Sequence, residues 1–399
     1  MTASQLQCDC QELHRRGFLS SERLQQLSAT CSSSSAAADE ISTLLLEEID
    51  AIVERVRQQH NTQEQEAALG NSELAAVAVG GALGALNAWL RPSASTTGSS
   101  STAGPSTTKA TSLWASAYDG AVATLNVAKR KRRVQQLQLR KLSGDAATCS
   151  HVVLCINGFM TQSDDPVQNW RVWCEDQNAV VFAVQWEAGD AAAWNEFCTH
   201  VNDNLSSSSV SAMVAHFTGN PWHSAQGKAE QVGVLLSQVL AERPAMVRGR
   251  KISLFGHSLG GAVIYSAFQE LAKLRKERSP EEVPVITNAV SLAGAYIPDI
   301  QGLENITQSL DPQQGKFINV FSARDGVLSK LFWALQLPGQ SGPGAAGCAA
   351  VTFAAAAANC INVEVSDLVV PRVENHFGHS YTHFMESIKT RVLPYLTKG

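Results

Sequence analysis

The run Lys251-Ile252-Ser253-Leu254-Phe255-Gly256-His257-Ser258-Leu259-Gly260-Gly261-Ala262 constrains the fold more than any other part of the 399-residue chain. Ile252, Leu254 and Phe255 are apolar and strand-prone, and just after Gly260 the apolar period changes. Val263, Ile264, Ala267, Phe268, Leu271 and Leu274 then recur at the spacing of one buried helix face. A strand turning abruptly into a helix around Gly256-x-Ser258-x-Gly260 is a nucleophile elbow. The bend is so tight that only glycine leaves room on either side of the serine. The hydroxyl is then held above the sheet, and the first amides of the helix face the place where an oxyanion would form. The motif alone is weak, since an ordinary turn shares its composition; the strand before and the helix after give it weight.

From residue 150 the texture is that of alternating strands and helices. Val152–Ile156 and Val180–Val184 are continuous apolar runs of the kind buried on both faces of a parallel sheet. A helix over 228–242 leads into the elbow strand, and further strands are expected at 289–293, 317–321 and 361–365. Right-handed crossovers then give an open, mostly parallel sheet flanked by helices, the α/β-hydrolase class, with its ligand site at the carboxyl ends of the strands. Residues 150–399 are assigned to this domain.

A serine hydroxyl needs a base, and the base needs an orienting acid; in this architecture the chain order is Ser, acid, His. After Ser258, the loop that follows strand 317–321 carries Asp325, the expected acid, although Asp-Gly is also a strong turn signal. Asp367 is the alternate. His376, His379 and His383 lie between the last strand and the C-terminal helix, where the base belongs. His379 is the expected base because Gly378 frees the backbone beside it; His376 is second, His383 reads as structural, and His257 packs rather than reacts. No cysteine pattern accompanies the histidines, so no metal site or other cofactor is expected. The oxyanion hole needs two backbone amides, one from Leu259 and one from the loop after strand 152–156, where Phe159 is the first candidate and Met160 the next.

The first 91 residues read as a helical region. Ile41, Leu45, Ile49, Ile52 and Val56 mark an amphipathic helix over 39–60, suited to packing on a neighbouring helix or to a short coiled-coil contact. Leu74–Leu90 is an apolar, Gly- and Ala-rich helix of borderline length for a membrane span, with a buried helical hairpin as the other reading. Residues 92–111 form a flexible linker of Ser, Thr, Gly, Ala and Pro. Residues 112–149 are expected to be a basic helical segment whose Lys129–Arg133 run is a solvated face or meets anionic lipid headgroups. The formal charge of −5 implies no attraction to nucleic acid. Nine cysteines without paired spacing, behind a polar start with no signal-peptide pattern, suit free thiols in a reducing, intracellular compartment.

Seven segments follow one another in order: Ile156-Asn157-Gly158-Phe159, Gln185-Trp186-Glu187, Gly219-Asn220-Pro221-Trp222, Phe255–Gly260, Asn288–Ala295, Phe317–Asp325 and Gly378-His379-Ser380-Tyr381. Over residues 150–395 the chain resembles the lipase-like α/β-hydrolase family of transmembrane-and-coiled-coil-domain proteins. The resemblance implies a serine hydrolase with membrane segments ahead of the catalytic domain, and nucleophile, acid and base on Ser258, Asp325 and His379. The weakly hydrophobic 74–90 helix and the low-complexity Gly339–Ala358 insertion depart from it; the insertion reads as a lid or as a disordered loop. The expectation is a membrane-associated serine carboxyl-ester hydrolase acting on lipid or another acyl ester, with a cytoplasmic location as the alternative. A thioesterase or peptide hydrolase on the same triad, or an inactive membrane-associated scaffold, are the competing readings.

Overall fold

The computed structural model describes residues 3–30, 35–70, 133–162, 164–175, 178–189, 192, 221–279, 281–331, 344–353, 358–370 and 378–396. Three helices come first, α1 (Ala3–Arg15), α2 (Ser21–Thr30) and α3 (Ser35–Gly70). Then follow β1 (Leu137–Ser143), β2 (His151–Ile156), the short α4 (Pro166–Trp170) and β3 (Ala179–Trp186). Next are α5 (Pro221–Ala241), β4 (Lys251–His257), α6 (Leu259–Glu277), β5 (Asn288–Leu292) and α7 (Ile300–Ser309). The last elements are β6 (Lys316–Phe321), β7 (Cys360–Glu364) and α8 (Met385–Val392). The chain divides into two compact units, one of residues 1–58, 134–191 and 225–399, the other of 59–133 and 192–224. The sheet and every side chain discussed below belong to the first; of the second, the structure describes chiefly the end of α3 and the start of α5.

The seven strands form one sheet in the order β1-β3-β2-β4-β5-β6-β7. All neighbours are parallel except β1, which runs antiparallel to β3 at one edge. The apolar runs explain this. Every residue of β2 and β5 is buried, as in strands covered by helices on both faces. In register, Ile156 lies opposite Gly256 and His257 opposite Leu292, so the carboxyl ends of β2, β4 and β5 are level where the chain turns at Ser258.

One expectation is corrected. Residues 137–143, assigned to a basic helical segment over 112–149, form β1. Leu137 and Leu139 point inward while Gln138 and Arg140 face solvent, the alternation of a half-solvated edge strand. The sheet therefore begins ahead of residue 150. Residues 112–132 lie outside the described residues, as do the linker and the 74–90 segment. No helix among the described residues is long and apolar enough to cross a membrane.

The expected 39–60 helix is the middle of the longer α3, and Ile41, Leu45, Ile49, Ile52 and Val56 are all buried. The N-terminal helices are stitched to the amino end of the sheet. Arg250, one residue before β4, forms a bidentate pair with Asp9 of α1 at 2.6 and 3.2 Å, and both side chains are buried. The same guanidinium donates to the carbonyls of Ala146, Cys149, Ala245 and Met246, so its donors are satisfied inside the protein. Glu48 of α3 accepts from the Ala245 amide at 2.8 Å.

Candidate active site

β4 ends in a turn that only this sequence permits. A Cβ on Gly256 would sit 2.3 Å from the carbonyl oxygen of Gly260, and one on Gly260 would sit 2.0 Å from that of Ile156. Between them Ser258 takes φ 56° and ψ −118°, a conformation costly for any residue but glycine. β5 holds it there: the Ser258 amide donates to Leu292 O at 2.9 Å, and its carbonyl accepts from Ala295 and Gly261 at 3.0 and 2.9 Å.

The Ser258 hydroxyl lies 2.9 Å from Nε2 of His379, and Nδ1 of that ring lies 2.7 Å from Oδ2 of Asp325. The carboxylate assigns the tautomer: Nδ1–H donates to Asp325, so Nε2 carries the lone pair that accepts the serine proton. Asp325 is fully buried, and its other oxygen, Oδ1, accepts from the amides of Val327 and Leu328 at 3.0 and 2.9 Å. Its orientation is therefore fixed independently of the histidine. Gly378 has φ 63°, the left-handed conformation that swings the chain into the turn carrying His379.

The other candidates fall elsewhere. Asp367, the alternate acid, is exposed and holds Arg391 at 2.6 and 2.9 Å; that guanidinium draws its carboxyl down to about 2. His376 lies outside the described residues. His383 is exposed on the turn Thr382–Phe384. His257 packs, as expected: Nε2–H donates to the carbonyl of His379 at 3.0 Å, and its ring lies 5.2 Å from that of His379 and 5.5 Å from that of Tyr381. Burial pushes its imidazole down to about 3, and the neighbouring His379 adds to the shift, so His257 stays neutral. A neutral ring there leaves His379 free to gain a charge without meeting another.

The loop after β2 meets the elbow at Gly158, where a Cβ would lie 2.6 Å from Ser258 Cβ and 2.7 Å from His257 O. Two indoles pin this loop, Trp186 of the quoted Gln185–Glu187 segment and Trp170, which the sequence did not single out: Trp170 Nε1 donates to Asn157 Oδ1 at 2.6 Å, and Trp186 Nε1 to Asn157 O at 3.2 Å. The signal that could have found them is their place, Trp186 ending a strand and Trp170 thirteen residues after the loop. Met160, the second oxyanion candidate, has φ 62° and donates its amide to Ala188 O at 3.1 Å, which leaves Phe159 as the candidate from this loop. Leu259 is the first residue of α6, where an amide has no carbonyl of its own helix to bond.

The Gly339–Ala358 insertion is corrected over its described part. Ala346 N donates to Tyr296 O, Gly347 N to Gly294 O and Ser322 N to Gly347 O, each at 3.0 Å. Asn319 of β6 donates to Ala346 O at 2.9 Å, and Asn362 of β7 exchanges hydrogen bonds with Val351. This stretch is neither a lid nor a loose loop but backbone that closes the carboxyl ends of β5 to β7. Side-chain amides on the strands, that of Asn319 fully buried, make this possible because they supply partners off the ladder.

A mostly parallel sheet with a strained serine between β4 and α6, and an acid and a histidine from later loops, defines the α/β-hydrolase fold. A family model described as "Protein of unknown function (DUF726)" matches residues 67–215 and 208–392, and the chain belongs to that family. It is 26% identical over 234 residues to an uncharacterized membrane protein of Schizosaccharomyces pombe, a match covering 53% of this chain and 28% of that protein. It is 26% identical over 244 residues to transmembrane and coiled-coil domain-containing protein STS1 of Oryza sativa subsp. japonica, covering 55% and 33%. Against probable lipase MIL1 of Saccharomyces cerevisiae it is 23% identical over 229 residues, covering 52% and 20%. These matches span a third or less of each relative, and they agree with the lipase-like family that the motifs resemble. Among solved structures, esterase 2 of Thermogutta terrifontis in its apo form is 14% identical at a TM-score of 0.32, over 66% of this chain and 92% of that one.

Proposed function

We propose that the chain is a serine carboxyl-ester hydrolase with Ser258 as nucleophile, His379 as general base and acid, and Asp325 as the group that orients and stabilises the imidazole. The observation that carries this is the pair of contacts at His379, 2.9 Å to the Ser258 hydroxyl on one ring nitrogen and 2.7 Å to the Asp325 carboxylate on the other. Nε2 takes the hydroxyl proton as Ser258 Oγ bonds to the ester carbonyl carbon, and the carbonyl electron pair moves onto oxygen. The amides of Leu259 and Phe159 are the donors for that oxyanion; removing one such donor costs about 3–4 kcal/mol in the transition state. His379 then gives its proton to the departing alkoxide, leaving an acyl group on Ser258. Water repeats the sequence, with Nε2 as base, and releases the acid.

The names of the relatives support a lipid or other acyl ester as substrate and an association with membranes, and the 74–90 segment is the part of this chain suited to it. Labelling by a fluorophosphonate, which needs an activated serine, tests the reading. Wild-type chain takes up the probe and Ser258→Ala does not; equal labelling of both overturns it, and no labelling of either favours the inactive scaffold. A panel of matched oxygen esters, thioesters and amides then separates an esterase from a thioesterase or peptidase.

A further inference from the structure

At the amino end of the sheet, between the N-terminal helices and the ends of α5 and α6, lies a cavity of about 580 Å³, within the range of small-ligand sites. β4 separates it from Ser258 by seven residues, roughly 20 Å of strand, so it is no part of the candidate active site. Its wall carries six arginines, Arg15, Arg16, Arg55, Arg243, Arg248 and Arg278, against the carboxylates of Glu242 and Glu282.

Helix capping and ion pairing account for some of this charge. Arg16 is spent: it pairs with Glu12 and Glu48 at 2.7 and 2.9 Å and donates to the carbonyls of Glu242 and Arg243, quenching the negative end of α5. Arg55 meets Glu242 at 3.2 Å. Pairing does not account for the rest. Arg15 and Arg248 both lean on the Glu12 carboxylate that Arg16 already uses. The guanidinium of Arg243 donates to a backbone carbonyl, that of Glu281, at 2.8 Å, from a residue whose own φ is 49°. The Arg278 guanidinium has no ion-pair partner among the described residues. Arg248 Nε is buried with no acceptor at all, an orphaned donor in the wall of the cavity. The six arginines outnumber by two the carboxylates that line the groove or pair with them, Glu12, Glu48, Glu242 and Glu282.

We propose that this groove binds a phosphomonoester dianion, carried by a lipid headgroup or free in solution. Such a group has about −1.5 to −2 charge at pH 7, which matches the surplus, and three acceptor oxygens that suit guanidinium forks. The site is independent of the chemistry at Ser258 and stands whether or not that serine is a nucleophile.

The test uses the full chain and the double variant Arg15→Gln/Arg278→Gln, two exposed positions where the change leaves the fold intact, as equal melting temperatures in phosphate-free buffer verify. Calorimetric titration with inorganic phosphate is one arm. Flotation with phosphatidylcholine vesicles containing either phosphatidic acid or a charge-matched amount of phosphatidylserine is the other, and any further membrane-binding segment is common to both proteins. The wild type is expected to bind phosphate, with affinity about tenfold weaker for each guanidinium removed. A preference for phosphatidic acid that the variant loses assigns the phosphate to a headgroup; loss of phosphate binding with flotation unchanged assigns it to a soluble ligand. A wild type that binds neither probe, or a variant that matches it in both arms, overturns the proposal.

Discussion

Asp325→Asn isolates the histidine tautomer from everything else at the site. The Oδ1 atom of Asp325 accepts two backbone amides, from Val327 and Leu328, at 3.0 and 2.9 Å. An asparagine has only one acceptor atom, so its carbonyl oxygen must stay with those amides, and its NH2 group must face His379 Nδ1, where Oδ2 now sits at 2.7 Å. Two donors cannot share that contact. His379 therefore moves its proton to Nε2 and presents N–H, not a lone pair, to the serine hydroxyl 2.9 Å away. Where an acid-to-amide change has this effect in a Ser-His-Asp site, turnover falls about 10⁴-fold, about 5.4 kcal/mol of barrier. The shape is preserved, so folding survives; Asp325→Ala is the poorer probe, because it orphans two buried amides at about 1–3 kcal/mol each. The assay is the rate of fluorophosphonate labelling together with a generic short-chain ester, beside a melting curve. Asp367→Asn, which removes only an exposed pair with Arg391, is the control and leaves the rate unchanged. A folded Asp325→Asn protein that reacts within tenfold of wild type refutes the tautomer argument.

The remaining expectations concern the frame around the site. Gly158→Ala drives a methyl to 2.6 Å from Ser258 Cβ and 2.7 Å from His257 O, neither of which can yield, so it costs about 1–3 kcal/mol in denaturant unfolding and lowers the labelling rate as well. Asp9→Asn leaves a buried guanidinium without its counterion and destabilises by about 3–5 kcal/mol, and Arg250→Met costs more still, because it also strips the carbonyls of Ala146, Cys149, Ala245 and Met246 of their donor; an Arg250→Met loss in denaturant unfolding no larger than that of Asp9→Asn would refute this. His257 titrates near 6.5 when exposed and near 3 when folded. The unfolded chain thus binds the proton that the fold refuses, and the contribution is fully present above pH 6.5 and declines as pH falls toward 3, by about 5 kcal/mol at most. Chemical denaturation across that window shows a steeper loss for wild type than for His257→Gln, and identical slopes would exclude His257 as the source.

What the residue order discloses and what it conceals follow from the range of the forces involved. β2 and β3 carry unbroken apolar runs, over 152–156 and 179–184, because helices cover both their faces, so they stand out in any window. The meeting of Ser258, Asp325 and His379 was legible because they come in the order that this architecture requires, the first two just past strands and the third between the last strand and the C-terminal helix. β1 was not: half-solvated at the edge, with Arg140 and Lys141 turned out, it prolongs a basic run that looks like a helix face. The pinning of Asn157 by Trp170 and Trp186 was hidden because it depends on side chains thirteen and twenty-nine residues away. The described part of the Gly339–Ala358 insertion misled for a different reason. Its small residues read as looseness, yet Gly347 is where backbone crosses backbone, a Cβ there falling 2.3 Å from the carbonyl carbon of Ala293.

The bond between Asp9 and Arg250 joins residues 241 positions apart. A ribosome adding about 5–20 residues per second needs roughly ten to fifty seconds to get from one to the other. For that interval the first helices exist with Leu13, Leu27, Ile41, Leu45 and Ile49, all completely covered in the finished molecule, and without the strand end that anchors them. These helices are thus made well before the strand end they dock against, and for that interval they are natural clients of a chaperone.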